Sequence, residues 1–275
     1  MSNDGQREYW NGKAGETWVA WQARLDALLA PLSDAAIDKA ALRAGERVID
    51  IGCGCGTTTR QLAERGAAVW GIDISAPMLA HAKARFKGVP SLAFSQTDAS
   101  SQAFTPDHQL LFSRFGVMFF DQPVAAFRNL RTGLTPEGRL VFLCWQEMAK
   151  NPWIAIAGRA VQPFLPPPAE PAPGPSGPDP FAFADTEYVA QILEQSGFRD
   201  IAFEALTPQL HVADDLDDAI AFQTTIGPLA RVLAELQGEA RDRALEAARA
   251  ALSAHVTEDG LRLGAAAWLV TARAE

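Results

Sequence analysis

A chain of 275 residues is long enough to bury a sizeable core, and it suits one α/β domain carrying insertions better than two independent units. With 48% hydrophobic and 21% charged residues the composition excludes wholesale disorder, and a net charge of −9 disfavours nucleic acid, whose affinity is built on Lys and Arg neutralising phosphates. No apolar run approaches the roughly 20 residues that span a bilayer, and Met1 to Gln22 has no signal-peptide core, so a cytoplasmic protein without a membrane span is expected.

The first 44 residues read as a helical segment with an unusual density of aromatics: Tyr9, Trp10, Trp18 and Trp21. Two short runs rich in Val and Ile, 47–51 and 68–73, each carry an Asp near the end and are each followed by a helical pattern, which is the start of a βαβ unit. The second helix is predicted over 75–87, with Ser75 as N-cap, Pro77 in the first turn, Leu79, Ala82 and Phe86 on one face, and Gly88 as the stop. Strands are predicted at 92–96, 109–113 and 139–145, with a helix over about 122–133. This alternation implies a mostly parallel sheet with helices on both faces and a ligand crevice at the carboxyl ends of the strands, where Asp50, Asp73 and Asp98 fall.

After that core, 151–184 reads as a proline-rich flap, densest from Pro163 to Pro180, that serves as a linker of restricted flexibility. A helix capped by Asp185 or Thr186 and ending at Gly197 is followed by a strand from Arg199 to Leu206. Residues 215–256 look helical, with Leu245, Ala248 and Leu252 on one stripe, and are expected to form a cap over the crevice within the remaining sheet of 185–275. Ala265 to Ala272 reads as the last strand, and there is no internal repeat.

The turn after the first strand carries the chemistry. Gly52, Gly54 and Gly56 stand at alternate positions, where the backbone must turn tightly and approach a ligand closely. A dinucleotide fingerprint spaces its glycines G-x-G-x-x-G, and here the third comes one position early, which weighs against a nicotinamide cofactor. Asp50 at the entrance of the turn would repel a pyrophosphate but can accept hydrogen bonds from an ammonium or water. Asp73, at the end of the next strand, is placed to grip two ribose hydroxyls. Cys53, Cys55 and Cys144 are odd in number and two lie within one tight turn, so neither a disulfide nor a metal site is expected and they read as small filling residues.

Asp50-x-Gly52-x-Gly54-x-Gly56 together with Gly71-Ile72-Asp73-Ile74-Ser75 resembles the class I S-adenosylmethionine-dependent methyltransferases, in particular the small-molecule branch that includes the ubiquinone-biosynthesis C-methyltransferases, over about residues 45–145. The resemblance implies a Rossmann-like seven-stranded sheet whose last strand is antiparallel, and a SAM-binding core at 45–150. It also implies that Gly52, Cys53, Gly54 and Gly56 face the methionine part of SAM and that Asp73 binds the ribose. Ile74 and Met78 would flank the adenine, Asp98 would bond its amino group, Ala99 would lend its backbone N–H, and Ser113 and Arg114 would line the methyl-transfer site. Two departures, His108-Gln109 ahead of the fourth strand and Pro136-Glu137-Gly138 ahead of the fifth, leave these positions untouched.

Tyr9 and Trp10 are candidates to wall the sulfonium by cation-π contact, in a lid formed by residues 1–44, with packing of an amphipathic helix as the competing account. Phe115 and Met118, from the cluster that also holds Phe119 and Phe120, are candidates to wall an apolar acceptor, and His211 to face it. His81 and His255 read as surface or packing residues, and no catalytic base is assigned, since methyl transfer can rest on alignment and desolvation alone. The function expected is methyl transfer from SAM to a small apolar or aromatic metabolite. A non-catalytic SAM-binding protein and an NAD(P)-dependent oxidoreductase stay open as alternatives.

Overall fold

The computed structural model describes residues 3–165 and 177–274. In chain order the elements are α1 (Asp4–Asn11), α2 (Lys13–Ala20), α3 (Gln22–Lys39), β1 (Arg47–Ile51), α4 (Thr57–Glu64), β2 (Ala68–Asp73), α5 (Ala76–Arg85), β3 (Leu92–Gln96), β4 (His108–Arg114), α6 (Pro123–Arg131) and β5 (Leu134–Trp145). There follow α7 (Pro152–Val161), α8 (Thr186–Gln195), β6 (Phe198–Leu206), β7 (Gln209–Ala213), α9 (Leu216–Gln223), α10 (Pro228–Glu235), α11 (Gly238–Ser253), β8 (Val256–Thr257), β9 (Gly260–Gly264) and β10 (Ala267–Ala274). The chain falls into two compact units, one of residues 1–146, 176–206 and 267–275, the other of 147–175 and 207–266.

The first unit is built on a seven-stranded sheet in the order β3-β2-β1-β4-β5-β10-β6. The first five strands are mutually parallel, and β10 runs antiparallel to both β5 and β6, as the resemblance implied. Strands β1 to β3 step outward in one direction, whereas β4 and β5 step in the other, so the order reverses between β1 and β4. A reversal of this kind opens a crevice at the carboxyl ends of the two strands, because their following connections leave on opposite sides. Val48, Ile49 and Ile51 of β1 and Leu110, Leu111 and Phe112 of β4 are at most 2% exposed, which explains the near-continuous apolar runs: both faces of a parallel sheet are covered.

Local signals set the flanking helices. Ser75 caps α5 by accepting from the Met78 N–H, and Asp185 caps α8 by accepting from the Glu187 and Tyr188 N–H groups. Helix α3 buries Leu25, Leu28, Leu29, Leu32, Ala36 and Ile37 along one stripe.

The second unit contains α7, α9, α10 and α11 and a three-stranded antiparallel sheet in the order β7-β9-β8. It corrects three expectations. The supposed flap opens with ten residues of helix, because Trp153 to Val161 buries Ile154, Ala155, Ala157 and Val161 at helical spacing. The helices of 215–256 form, but they are bracketed by β7 and β9, which the sequence reading left unassigned; Leu210 and Val212 of β7 and Leu261 and Leu263 of β9 point inward alternately. The buried stripe of α11 is Ala244, Ala248 and Leu252, with Leu245 only half-buried beside it. The expected proline-rich stretch from Pro166 to residue 176 lies outside the described residues. Among the described residues no helix is long and apolar enough to cross a membrane.

Candidate functional site

All of the geometry at the carboxyl ends of β1, β2, β3 and β4 belongs to the first unit. Asp50, in register with Gly71 of β2 and Phe112 of β4, is fully buried. Its Oδ2 accepts from the hydroxyls of Thr58 and Thr59 at 2.8 and 2.7 Å, while its Oδ1, equally buried, has no hydrogen-bond partner. Burial pushes the Asp50 carboxyl up to about 6, against the pull of the two threonine hydroxyls and of the Arg114 charge.

The turn that follows is held by backbone bonds: the Gly52 and Cys53 N–H groups both donate to Ile72 O, at 2.9 and 3.1 Å, and the Gly56 N–H donates to Cys53 O at 2.9 Å. The φ angles of Gly52, Gly54 and Gly56 are +65°, +53° and +81°. At Gly52 a Cβ would lie 2.8 Å from the Gly116 Cα, so the turns after β1 and β4 meet backbone to backbone. Ser113 secures that meeting. Its buried hydroxyl donates to Ile51 O at 2.8 Å and accepts from the Gly116 N–H at 3.2 Å.

Asp73 is partly exposed and shapes the same turn, accepting from the Gly54 N–H at 2.7 Å through Oδ2 and from the Ser75 N–H at 2.8 Å through Oδ1. Burial raises its pKa, partly offset by these backbone donors. Each oxygen keeps a further lone pair for a ligand hydroxyl. Ile74 is half-buried, and Met78 sits so close to the turn that a Cβ on Gly54 would lie 2.8 Å from its Cε. Asp98 accepts through Oδ1 from the Ser100 N–H and hydroxyl at 2.9 and 2.7 Å, and Asn129 of α6 donates to Ala99 O at 3.0 Å, fixing the loop after β3.

The N-terminal helices fasten onto these loops. The buried Asn3 side chain donates to Asp98 Oδ1 at 3.0 Å and accepts from the Asp121 N–H at 3.2 Å, so it ties the loops after β3 and β4 together. Asn11 donates to Ile74 O at 3.0 Å and accepts from the Ala76 N–H at 2.9 Å, and the Ser75 hydroxyl donates to Trp10 O at 2.8 Å. The Trp10 ring is half-buried and meets Trp18 and Phe119 edge to face, whereas Tyr9 is 54% exposed with its ring against Trp10.

At the end of β4, Phe115 has a φ of +60°, a conformation a bulky side chain adopts only where its surroundings impose it. Its ring stacks on Trp145 at 4.1 Å with 8° between planes, and Met118 is buried nearby in the chain. Arg114 turns toward α3, donating to the Ser33 hydroxyl at 3.3 Å and lying 3.5 Å from Asp26 Oδ1. Cys53, Cys55 and Cys144 are free and buried, and burial pushes all three thiols up, Cys55 to about 12.

The structure thus gathers Asp50, the glycine turn, Asp73, Ile74, Met78, Asp98, Ala99, Ser113, Arg114, Phe115 and Met118 on the ends of four adjacent strands. His211 belongs to the second unit, where its Nε2 lies 2.8 Å from Asp214 Oδ1. The sequence reading missed Asn3, Asn11, Gly116, Trp145 and the pair Thr58 and Thr59. The run of three threonines in the first turn of a helix was a usable signal for the last two, since β-branched residues are poor helix formers unless their hydroxyls are employed.

Residues 48–138 match the family described as a methyltransferase domain. The demethylmenaquinone methyltransferase of Beutenbergia cavernae is 30% identical over 182 residues, covering 63% of this chain and 74% of that protein. The trans-aconitate 2-methyltransferase of Methylobacterium nodulans is 38% identical over 101 residues, 36% of this chain and 38% of that one. Among solved structures, a phosphoethanolamine N-methyltransferase 2 from Haemonchus contortus in complex with S-adenosyl-L-methionine shares the fold with a TM-score of 0.60, at 16% identity, covering 100% of this chain and 60% of the other.

Proposed function

Because the chain belongs to the class I S-adenosylmethionine-dependent methyltransferases, we propose that it methylates a small apolar or aromatic metabolite, releasing S-adenosylhomocysteine. The observation that carries the donor side of this reading is the buried, unpartnered Oδ1 of Asp50 beside a turn in which a Cβ would collide with its neighbours. A buried carboxylate oxygen without a donor asks for a cationic or hydroxylic partner, and an ammonium meets that need. The residues present therefore fit SAM.

In this account Asp50 and the turn formed by Gly52, Cys53, Gly54 and Gly56 receive the methionine part, and Asp73 receives the ribose hydroxyls. Ile74 and Met78 enclose the adenine, which Asp98 and the Ala99 N–H read at its edge. Trp10, with Tyr9 outside it, shields the crevice from water. Ser113 and Arg114 act at one remove, by holding Gly116 against Gly52 and by balancing Asp26 of α3. When bound, SAM supplies a methyl group activated by its sulfonium. The chain's own contribution is alignment of the two reactants and exclusion of water.

On the acceptor side, the Phe115–Trp145 stack offers a flat apolar surface at the ends of β4 and β5, next to Met118. The relatives' names span an aromatic quinone precursor, a tricarboxylate and a phosphorylated amine; the stacked pair favours the first kind. The net charge of −9 supports a metabolite over a nucleic acid, and three free thiols suit a reducing, cytoplasmic setting. Incubation of the protein with methyl-labelled SAM and a fractionated metabolite extract is expected to place label on an apolar aromatic compound. Binding of SAM with label transferred to nothing would instead favour a non-catalytic binder.

A further inference from the structure

Helix α3 is joined through Gln22 and Asp26 to Thr57, the first residue of α4 after the glycine turn, and Gln22 in the first turn of α3 is 4% exposed. Its Nε2 donates to the Thr57 hydroxyl at 3.3 Å. That hydroxyl donates in turn to Asp26 Oδ2 at 2.6 Å and accepts from Arg85 Nη1 at 3.0 Å, so its one proton and both lone pairs are engaged. Arg85 and Arg114 lie 3.6 and 3.5 Å from the Asp26 carboxylate, which fixes the frame around Gln22. The Gln22 carboxamide is only half engaged, however: its Oε1 is buried and has no hydrogen-bond partner.

Asp50 Oδ1 is in the same condition on the strand side. The two are linked by three consecutive threonines at the start of α4, with Thr57 joined to Gln22 and Asp26, and Thr58 and Thr59 joined to Asp50. Asp26 Oδ1 also lacks a hydrogen bond but has the Arg114 guanidinium 3.5 Å away, so the buried acceptors flanking the first turn of α4 with neither a hydrogen bond nor an ion pair are Gln22 Oε1 from the helix and Asp50 Oδ1 from the strand. Folded proteins rarely leave such groups unpaired except where a ligand or a water completes them. An amino-acid end fits both, because its ammonium carries three donors and its carboxylate accepts from an amide N–H; a carboxamide serves either charge.

We propose that Gln22 is a donor-binding residue whose carboxamide contacts the amino-acid end of S-adenosylmethionine beside Asp50. Thr57, Asp26 and Arg85 are positioning residues that hold the carboxamide in place. The inference rests on the methyltransferase reading and assigns to α3 a contact that the strand-end motifs do not contain.

Calorimetric titration with S-adenosylhomocysteine and with 5′-methylthioadenosine tests it, since the second ligand keeps the adenosine and thioether but lacks the amino-acid end. For Gln22→Met the expected result is a loss of about tenfold or more in affinity for S-adenosylhomocysteine, the scale of one hydrogen bond to a charged group, with 5′-methylthioadenosine unchanged. Gln22→Ala carries the same expectation should the Met variant not fold. Unchanged affinity for S-adenosylhomocysteine overturns the assignment and leaves a buried water as the partner of Oε1. Equal losses for both ligands also overturn it, because they report a disturbed site and not a lost contact. If the wild-type protein binds neither ligand, the methyltransferase reading itself fails and the assignment falls with it.

Discussion

Replacing Asp50 by asparagine should make the protein more stable at neutral pH relative to wild type than it is in acid. Burial raises this carboxyl from its ordinary 3.8 to about 6. The folded protein therefore holds the proton more tightly than the unfolded chain, and stability falls as pH rises from 3.8 through about 6, with the full penalty present above that range. A gap of about two units at about 1.4 kcal/mol each comes to about 3 kcal/mol. Asparagine is neutral throughout and keeps an oxygen for Thr58 and Thr59. The variant-minus-wild-type difference should therefore grow by about 2–2.5 kcal/mol between about pH 4 and about pH 7, every other titrating group being common to both. For a chain of this size that is a relative gain in Tm of roughly 4–10 °C. Thermal unfolding of both proteins over that pH range, without ligand, measures it. Saturating S-adenosylhomocysteine should reverse the order at neutral pH, since its ammonium pairs with the wild-type carboxylate, whereas in the variant the side-chain oxygen is engaged by Thr58 and Thr59 and the amide nitrogen can only donate. A difference that stays flat with pH would refute the claim that Asp50 is buried as an unpaired charge.

Three further outcomes follow from the same geometry. Gly52→Ala places a Cβ against Gly116 at a φ of +65°, and denaturant titration should show a loss of about 1–3 kcal/mol together with lost donor binding; retention of both would mean the turns after β1 and β4 are not in backbone contact. Asp73→Ala should weaken S-adenosylhomocysteine binding by about 2–4 kcal/mol in calorimetry, and an unchanged affinity would remove Asp73 from the ribose site. Asn3→Ala breaks the bonds from the N-terminus to Asp98 and Asp121, so amide exchange across α1 should quicken and donor dissociation with it; exchange confined to its wild-type rate would deny that Asn3 fastens this helix.

Elements whose signals are local were legible in the sequence. β3 spans the residues expected of it, and α5 begins at the Ser75 cap, because strand alternation and capping are properties of a few adjacent residues. The glycine turn and the flanking Asp50 and Asp73 were legible for the same reason. What stayed hidden depends on residues far apart in the chain. Gly116 matters only because β4 lies beside β1, and Asn3 only because the N-terminus returns to Asp98, 95 residues away. Gln22 was unremarkable among the helical residues of α3 until Thr57 was placed next to it. The second unit was underread on other grounds. β7 and β9 alternate over the same length as β3 but were overshadowed by the helical stretch they bracket, and the prolines after Val161 masked the apolar spacing of α7.

The central claim is that the strand-end site is built for S-adenosylmethionine, and calorimetric titration of the wild-type protein with S-adenosylhomocysteine and with NADH tests it most directly. One-to-one binding of S-adenosylhomocysteine with no heat from NADH is the predicted result. Tight binding of NADH with none of S-adenosylhomocysteine would contradict it.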